Sequence, residues 1–333
     1  MSVTTTQSTV VCFGNPFYDR SCYVGNELLE KFGLKEGLPT ITDKKSEIDD
    51  SWSEAIKNTQ STPMEIIAGS GINKARVLAH LGNFPVAVGR IGSDSEKITS
   101  YLDGIGVNIH HLTQGKKPTG TVNCFIHGKQ RTFHAYWGVS TEFSEKDVKP
   151  EAFEHATHVL FEGYTAYFGK ALEEGIALAK ERKATISLDL GSADIVKNFK
   201  PRLNECIPQV DVLFGNADEM KALTGIESLK EAAELFHPSQ IIVATDGESG
   251  GWVKDKGHSN AVHYDATKVP EVKDTTAAGD YFNAGFVNGM LSEKPILKCV
   301  EMGKLAASFA IQHMGADLPK DKWAELRNLI YKV

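Results

Sequence analysis

The sequence is short of cysteine, and the few it has are scattered. Cys12, Cys22, Cys124, Cys206 and Cys299 occur among 333 residues, with no Cys-x-x-Cys pair and no histidine at finger-like spacing. An odd, widely spaced set argues against a disulfide framework or a structural zinc site, and fits free thiols in a reducing cytoplasm. No apolar run approaches the roughly 18 residues that a membrane helix needs, so no membrane partner is expected. The opening MSVTTTQSTV has neither a basic region nor an apolar core, and reads as a short frayed lead instead of a secretion signal. Positive charge is not in excess either. The net charge is -7, which argues against a nucleic-acid or anionic-membrane partner. Internal repeats and low-complexity linkers are missing. So are the Gly-Lys-Ser/Thr end of a P-loop and the glycine spacing of a dinucleotide fingerprint, which disfavours a dinucleotide-dependent oxidoreductase.

What is present is alternation. Apolar residues make up 41% of the chain and charged residues 24%, enough for a sizeable core under an ordinary surface. The length allows one large α/β domain or two smaller ones. Short runs rich in Val, Ile, Leu and Phe recur at 8–15, 84–92, 157–163, 184–191, 210–216 and 240–247, each ending at glycine or a polar residue. Continuous apolar runs suit parallel strands covered on both faces. Between them, 73–82, 170–182 and 303–315 place apolar or small residues at helical spacing, with Gly82 as a C-terminal stop. The pattern predicts an α/β fold with a doubly wound, mostly parallel sheet between helices. Two regions break it. Residues 20–62 are polar and mixed, and 118–137 read as a hairpin turning at HGK, residues 127–129. A hairpin inside a parallel α/β chain suits either a small β lid over a cleft or an ornament at a sheet edge. The whole chain, 1–333, is expected to be a single domain, with lid segments at about 17–62 and 117–138.

Ligands in such sheets bind beyond the carboxyl ends of the strands, so the loops after strands matter most. In VKDTTAAGDYFNAGF (272–286), small residues lead into a helix. The first N–H groups of a helix have no partners within it, and the helix dipole adds partial positive charge. Ala277, Ala278 and Gly279 therefore fit a cradle for a phosphoryl group, with Asp280 placed to take a proton from a hydroxyl. Equally, Asp280 could simply cap the helix. Asn216 and Glu219 follow another strand and share a helix face. They could hold a water-clad Mg²⁺ or form a capping box. Thr245, Gly247 and Gly250 form a glycine-rich turn suited to a nucleotide's phosphates. Asn15 and Asp19 occupy the turn after the first strand, where Asp19 could accept two hydroxyls of a polyol or merely shape the turn. AGSGINKA (68–75) sets Gly69, Ser70 and Asn73 at a further helix start, again suited to hydroxyls.

Taken in order, these stretches resemble the ribokinase-like, PfkB-type family of sugar and nucleoside kinases from Val10 to about Leu318. The signature Asp-Thr-x-Gly-Ala-Gly-Asp is DTTAAGD (274–280) here, with Ala277 in place of glycine. Asn-x-x-Glu is NADE (216–219), and Thr-x-Gly-x-x-Gly is TDGESG (245–250). Gly-Gly-x-x-x-Asn is AGSGIN (68–73), with Ala68 replacing the first glycine. GNPFYD, LLEKFGLKEG and PTGT resemble adenosine kinases and their bacterial relatives more than ribokinase or phosphofructokinase. The resemblance implies a ribokinase-like fold and a kinase that uses ATP and Mg²⁺ on a nucleoside or a sugar. Asp280 would be the general base, and the backbone of Ala277, Ala278 and Gly279 the anion hole. Arg131 on the lid would reach the phosphates. Asn15, Asp19, Gly69, Ser70 and Asn73 would bind substrate hydroxyls. Asn216, Thr245, Gly247, Gly250 and Thr275 would bind the nucleotide, and Asn216 and Glu219 the Mg²⁺ through water. A monovalent cation near the anion hole is a further implication. Tyr164, Tyr136 and Trp137 could stack on a purine or pack core and lid. A free-sugar kinase, or a nucleoside- or sugar-binding regulator weakened by Ala68 and Ala277, is the alternative. Either a monomer or a homodimer is compatible with the sequence.

Overall fold

The six apolar runs form strands, and the chain twice leaves them to build a second sheet. The structure, a computed structural model, describes residues 8–59, 61–128 and 130–333, and the following holds for those residues. The expected N-terminal lead up to residue 7 and the Lys129 tip of the hairpin lie outside them. Strand β1 (Thr9–Phe13) opens the large sheet, and the chain then makes β2 (Phe17–Tyr23), β3 (Pro39–Thr42) and β4 (Met64–Ala68) of the lid. It returns as β5 (Phe84–Ile91) and β6 (Leu112–Gln114), and adds the lid hairpin β7 (Gly120–His127) and β8 (Gln130–Tyr136). It finishes the large sheet with β9 (Ala156–Glu162), β10 (Thr185–Asp189), β11 (Val212–Asn216), β12 (Ile241–Thr245), β13 (Gly251–Lys254) and β14 (Val262–Tyr264).

The large sheet runs β14-β13-β12-β11-β10-β9-β1-β5-β6. Its strands are parallel from β12 to β6, whereas β13 and β14 are antiparallel. Successive side chains on a strand point to opposite faces, and the burial follows. Val10 and Cys12 enter one core with the helices Ser70–His80, Ala278–Leu291 and Ile296–Ala310. Val11 and Phe13 enter the other with Ala171–Glu181 and Ala193–Cys206. Leu213 and Val212 divide in the same way. This is the doubly wound, mostly parallel sandwich that the alternation predicts. One helix starts earlier than its sequence pattern, at Ile296 and not 303, because Pro295 occupies the N-cap where its missing N–H costs nothing.

The lid sheet runs β3-β8-β7-β2-β4. The hairpin is present as antiparallel β7 and β8, and β2 adds to β7 in parallel. The polar region 20–62 conceals the helices Asn26–Lys31 and Lys45–Asn58, which cover the lid's outer face around Cys22, Leu28, Leu29, Ala55 and Phe125. On that face Asn123 donates to Ile48 O at 2.8 Å and His134 Nδ1 pairs with Ser51 Oγ at 3.0 Å. The opposite face, carrying Asp19 and Arg131, is turned to the carboxyl ends of the large sheet, where Arg131 Nη1 meets Asp274 Oδ1 at 2.7 Å.

Candidate active site

The turn after β12 and the head of the Ala278–Leu291 helix frame the site. Ala277 sits at φ 61°, ψ 5°, in the left-handed region that disfavours a β-carbon. Ala278 N–H turns back to Thr275 O at 3.3 Å, whereas no described residue accepts from the N–H of Ala277 or Gly279. A β-carbon built on Gly279 would meet nothing within 4 Å, so this helix head opens into the cleft. Of the three residues expected to line an anion hole, Ala277 and Gly279 are the ones with free donors.

Asp280 does not cap its helix. Its carboxylate reaches across to the helix that begins at Ser70, accepting from Ser70 Oγ at 2.6 Å and Lys74 Nζ at 2.8 Å on Oδ1, and from Asn73 Nδ2 at 2.8 Å on Oδ2. Gly69 makes that helix start possible. At φ 113° a β-carbon would stand 2.3 Å from Asn15 O. Ala68, the other replaced glycine, lies in β4 opposite Phe17 with no positive φ, so its methyl is harmless. The two substitutions thus differ: Ala277 is strained and Ala68 is not.

Asn15 is buried, and its Oδ1 accepts from Arg90 N at 2.7 Å, so that oxygen ties β1 to β5. Asp19 is not in the turn after β1, as expected, but within β2, because Phe17–Tyr23 pairs with both β4 and β7; its side chain lies beside Arg131 and Asp274. Burial raises its carboxyl, Asp274 raises it further and Arg131 opposes them, leaving it pushed up to about 7. Arg131 also donates to Thr276 Oγ1 at 3.2 Å. Asp274 accepts from Thr276 N at 2.7 Å and Gly315 N at 2.9 Å; burial works against its charge, but these bonds and Arg131 hold it below the usual carboxylate range. Tyr164 packs over Gly191, where a β-carbon would come within 3.1 Å of its ring. Tyr136 and Trp137 line a groove of about 1010 Å³ with Thr40, Thr42, Lys117 and Tyr167. The Trp137 ring packs edge-on against Tyr167, in the short turn that follows β9, with centroids 5.3 Å apart.

At the end of β11, Asn216 and Glu219 form a full capping box. Asn216 Oδ1 accepts from Glu219 N at 3.0 Å, and Glu219 accepts from Asn216 N at 2.8 Å and Nδ2 at 2.7 Å. Burial and nearby Asp189 push the Glu219 carboxyl up to about 7. Among the described residues no group of three or more His, Cys, Asp or Glu can hold a metal directly. One carboxylate and one amide suit Mg²⁺ only as it is usually bound with phosphates, through its waters. Next door, Thr245 ends β12 and Gly250 turns at φ 88°, where a β-carbon would lie 1.9 Å from Tyr264 O. Gly247 leads the same turn at φ 52° with open space before it.

Three charged residues at the heart of the site escaped the sequence reading. Lys74 lies 2.7 Å from Asp189 Oδ2 as well as touching Asp280. Glu162 ends β9, buried, with Oε2 lacking any partner among the described residues. Burial, eased by Lys74, pushes its carboxyl up to about 7. The signal was there for two of them: FEG and LDLG each set a carboxylate at the end of an apolar run, where ligands bind.

The family profile for the pfkB family carbohydrate kinases matches residues 28–323. Adenosine kinase 2 of Arabidopsis thaliana is 27% identical over 92% of this chain and 94% of its own. A probable sugar kinase from Rhizobium etli superposes with a TM-score of 0.85 at 23% identity, over 99% of this chain and 100% of that one. The adenosine kinase of Sinorhizobium meliloti gives 0.84 at 24% identity, over 97% and 99%. At such identities the two structures establish the fold, which is ribokinase-like. With the family profile spanning most of its length, the chain belongs to the pfkB family of carbohydrate kinases, phosphotransferases that act on an alcohol group.

Proposed function

We infer that the protein is an ATP- and Mg²⁺-dependent kinase that phosphorylates the primary hydroxyl of a nucleoside, adenosine being the first candidate. One observation carries this reading: Asp280 lies one residue past the unpaired N–H of Gly279, at a helix head that opens into the cleft. The acceptor hydroxyl gives its proton to Asp280. Its oxygen bonds to the γ-phosphorus as the bond from that phosphorus to the departing ADP oxygen breaks. Ala277 and Gly279 donate to the phosphoryl oxygens as their charge shifts, where fixed donors cost no reorganisation. Asn216 and Glu219 would hold the waters of a bound Mg²⁺, which would neutralise phosphate charge. Arg131 and Thr275 address the phosphates from the lid and the loop, with Thr245, Gly247 and Gly250 along the nucleotide. Asp19, Gly69, Ser70 and Asn73 orient the acceptor, and Tyr164 stacks on the base.

The curated relative named adenosine kinase supports a nucleoside acceptor. A free sugar is the second reading. It is favoured by the unpartnered Glu162 Oε2, which offers a further hydroxyl acceptor. Five buried free cysteines support a reducing, cytoplasmic setting. No helix among the described residues is long and apolar enough to cross a membrane.

The test is ATP consumption screened across nucleosides and free sugars. Turnover confined to nucleosides, with adenosine leading, is expected. Turnover on free sugars alone selects the second reading. Asp280→Asn is expected to lower kcat by about 10²–10⁴, the usual range for a general base. Turnover near wild type in that variant would remove the base assignment.

A further inference from the structure

Lys74 is a buried cation whose place in the reaction nothing above explains. Its side chain is 1% exposed. Burial alone would strip its charge, yet Asp189, Asp280 and Glu162 outweigh that and push its proton affinity up. The ammonium donates to Asp280 Oδ1 at 2.8 Å and to Ser70 Oγ at 2.5 Å, and lies 2.7 Å from Asp189 Oδ2. Ser70 in turn donates to the same Oδ1 at 2.6 Å. Each oxygen of an ionised carboxylate offers about two acceptor sites. Lys74 and Ser70 fill both on Oδ1. Among the described residues Oδ2 has one donor, Asn73 Nδ2. That amide cannot be reversed, because Arg76 Nη1, which can only donate, holds Asn73 Oδ1 at 3.0 Å. One acceptor site is therefore left on the carboxylate, and it is on Oδ2.

We propose that Lys74 is a positioning residue for phosphoryl transfer: it occupies Asp280 Oδ1 and directs the acceptor hydroxyl to Oδ2, with Asp189 as its competing partner. This rests on Asp280 being the base. The proton leaves the hydroxyl for Oδ2 as the oxygen–phosphorus bond forms, while Lys74 keeps its own protons throughout. The other titratable groups around this pair are Glu162 at the end of β9, Asp189 at the end of β10, and Tyr164 and Tyr281 beside Asp280. Glu219 faces Lys74 from the end of β11, and Cys12 faces it from β1. Lys74 is the one cation among them. Asp280 should therefore respond in opposite senses to the neutralisation of Lys74 and of Asp189.

The experiment is the pH profile of kcat/KM for the acceptor at saturating ATP, in Lys74→Met, Asp189→Asn and Asp280→Asn. Losing the ammonium should move the acidic limb of Lys74→Met up by about one pH unit or more, since an opposite charge at this distance shifts a carboxyl by that order. Its kcat should fall at least about 30-fold, with acceptor KM within about threefold. Asp189→Asn removes the competitor and should move the limb down. It keeps a cation–carboxylate pair in the interior, so it remains testable if Lys74→Met does not fold. An unmoved limb in Asp189→Asn, or a shift of the same sign in both variants, overturns the proposal while leaving the base in place if Asp280→Asn is inactive. Wild-type turnover in Asp280→Asn overturns both. A loss of stability in Lys74→Met with no shift of the limb assigns the lysine to folding alone and overturns the proposal.

Discussion

Ala277 is the residue at which strain and rate can be separated. It holds φ 61°, ψ 5° at the head of the Ala278–Leu291 helix. A β-carbon in that region costs about 1–2 kcal/mol, which glycine would recover. Glycine gives back about 0.4–1 kcal/mol through the freer unfolded chain. The methyl is only partly buried against the first core, so its loss removes at most about half of the ~0.8 kcal/mol of a buried carbon. Ala277→Gly should thus lie between about 0.4 kcal/mol destabilising and about 1.6 kcal/mol stabilising. Ala277→Val keeps the strain and adds a β-branch where φ is positive, and should cost about 1–2 kcal/mol. The gap between the two variants, of order 2 kcal/mol, exceeds the uncertainty of either, and urea midpoints at constant slope will read it. The kcat of Ala277→Gly should stay within about fivefold of wild type, because the N–H donors are backbone groups and survive the change; fivefold corresponds to about 1 kcal/mol of barrier. Equal stability of the glycine and valine variants would refute the strain argument. A hundredfold rise in kcat on Ala277→Gly would refute the kinase reading instead, because it would mean that the native chain binds its ligand and scarcely turns it over.

Gly69→Ala should cost more than about 3 kcal/mol, since a β-carbon at φ 113° would meet Asn15 O at 2.3 Å as well as suffer backbone strain; thermal unfolding will show it, and a loss below 1 kcal/mol would contradict the close approach. Glu162 carries a pH dependence of stability. Its carboxyl rises from an ordinary 4.5 to about 7 on burial, so the folded state binds the proton more tightly than the unfolded chain. Stability from this group is full below about pH 4.5 and is lost as pH climbs to about 7; across that window the loss is of order 3 kcal/mol at most. Glu162→Gln should accordingly gain stability over wild type at pH 8 and much less at pH 5, as urea titrations at the two pH values will show; an equal gain at both would exclude the linkage. Arg131→Gln should lower kcat/KM for ATP by about tenfold while changing the melting temperature by less than about 2 °C, because its partner Asp274 keeps two backbone donors; an unchanged kcat/KM would detach Arg131 from the nucleotide.

The large sheet was legible because each of its longer strands is a short apolar run closed by glycine or a polar residue, and both faces are buried. β13 and β14 were not, being four and three residues long and at the edge, where little apolar patterning is needed. The lid's covering helices were hidden for a related reason: Lys45–Asn58 buries only Ile48, Ser51 and Ala55, and most of its other residues are charged or polar. In the site, motif residues such as Asp280 and Asn216 were visible because their spacing alone marks a helix head. Which reading of each was right was not visible. Asp280 abandons its own helix for partners more than 200 positions away, and the backbone angle that sets Ala277 apart from Ala68 is fixed by the tertiary turn. Lys74 was the least legible. A lone lysine in a helix reads as surface, and only the meeting of three strand ends and two helices makes its burial tolerable.

The ion pair between Arg131 and Asp274 also bears on timing. The lid's guanidinium is already held by Asp274, in the loop ahead of the Ala278–Leu291 helix. In the role proposed for Arg131, any phosphate that recruits it would first take it from Asp274, so the arginine would add less to nucleotide affinity than its charge suggests. Lid opening and loop release would then be a single event, with product departure and the resetting of Asp274 sharing one latch.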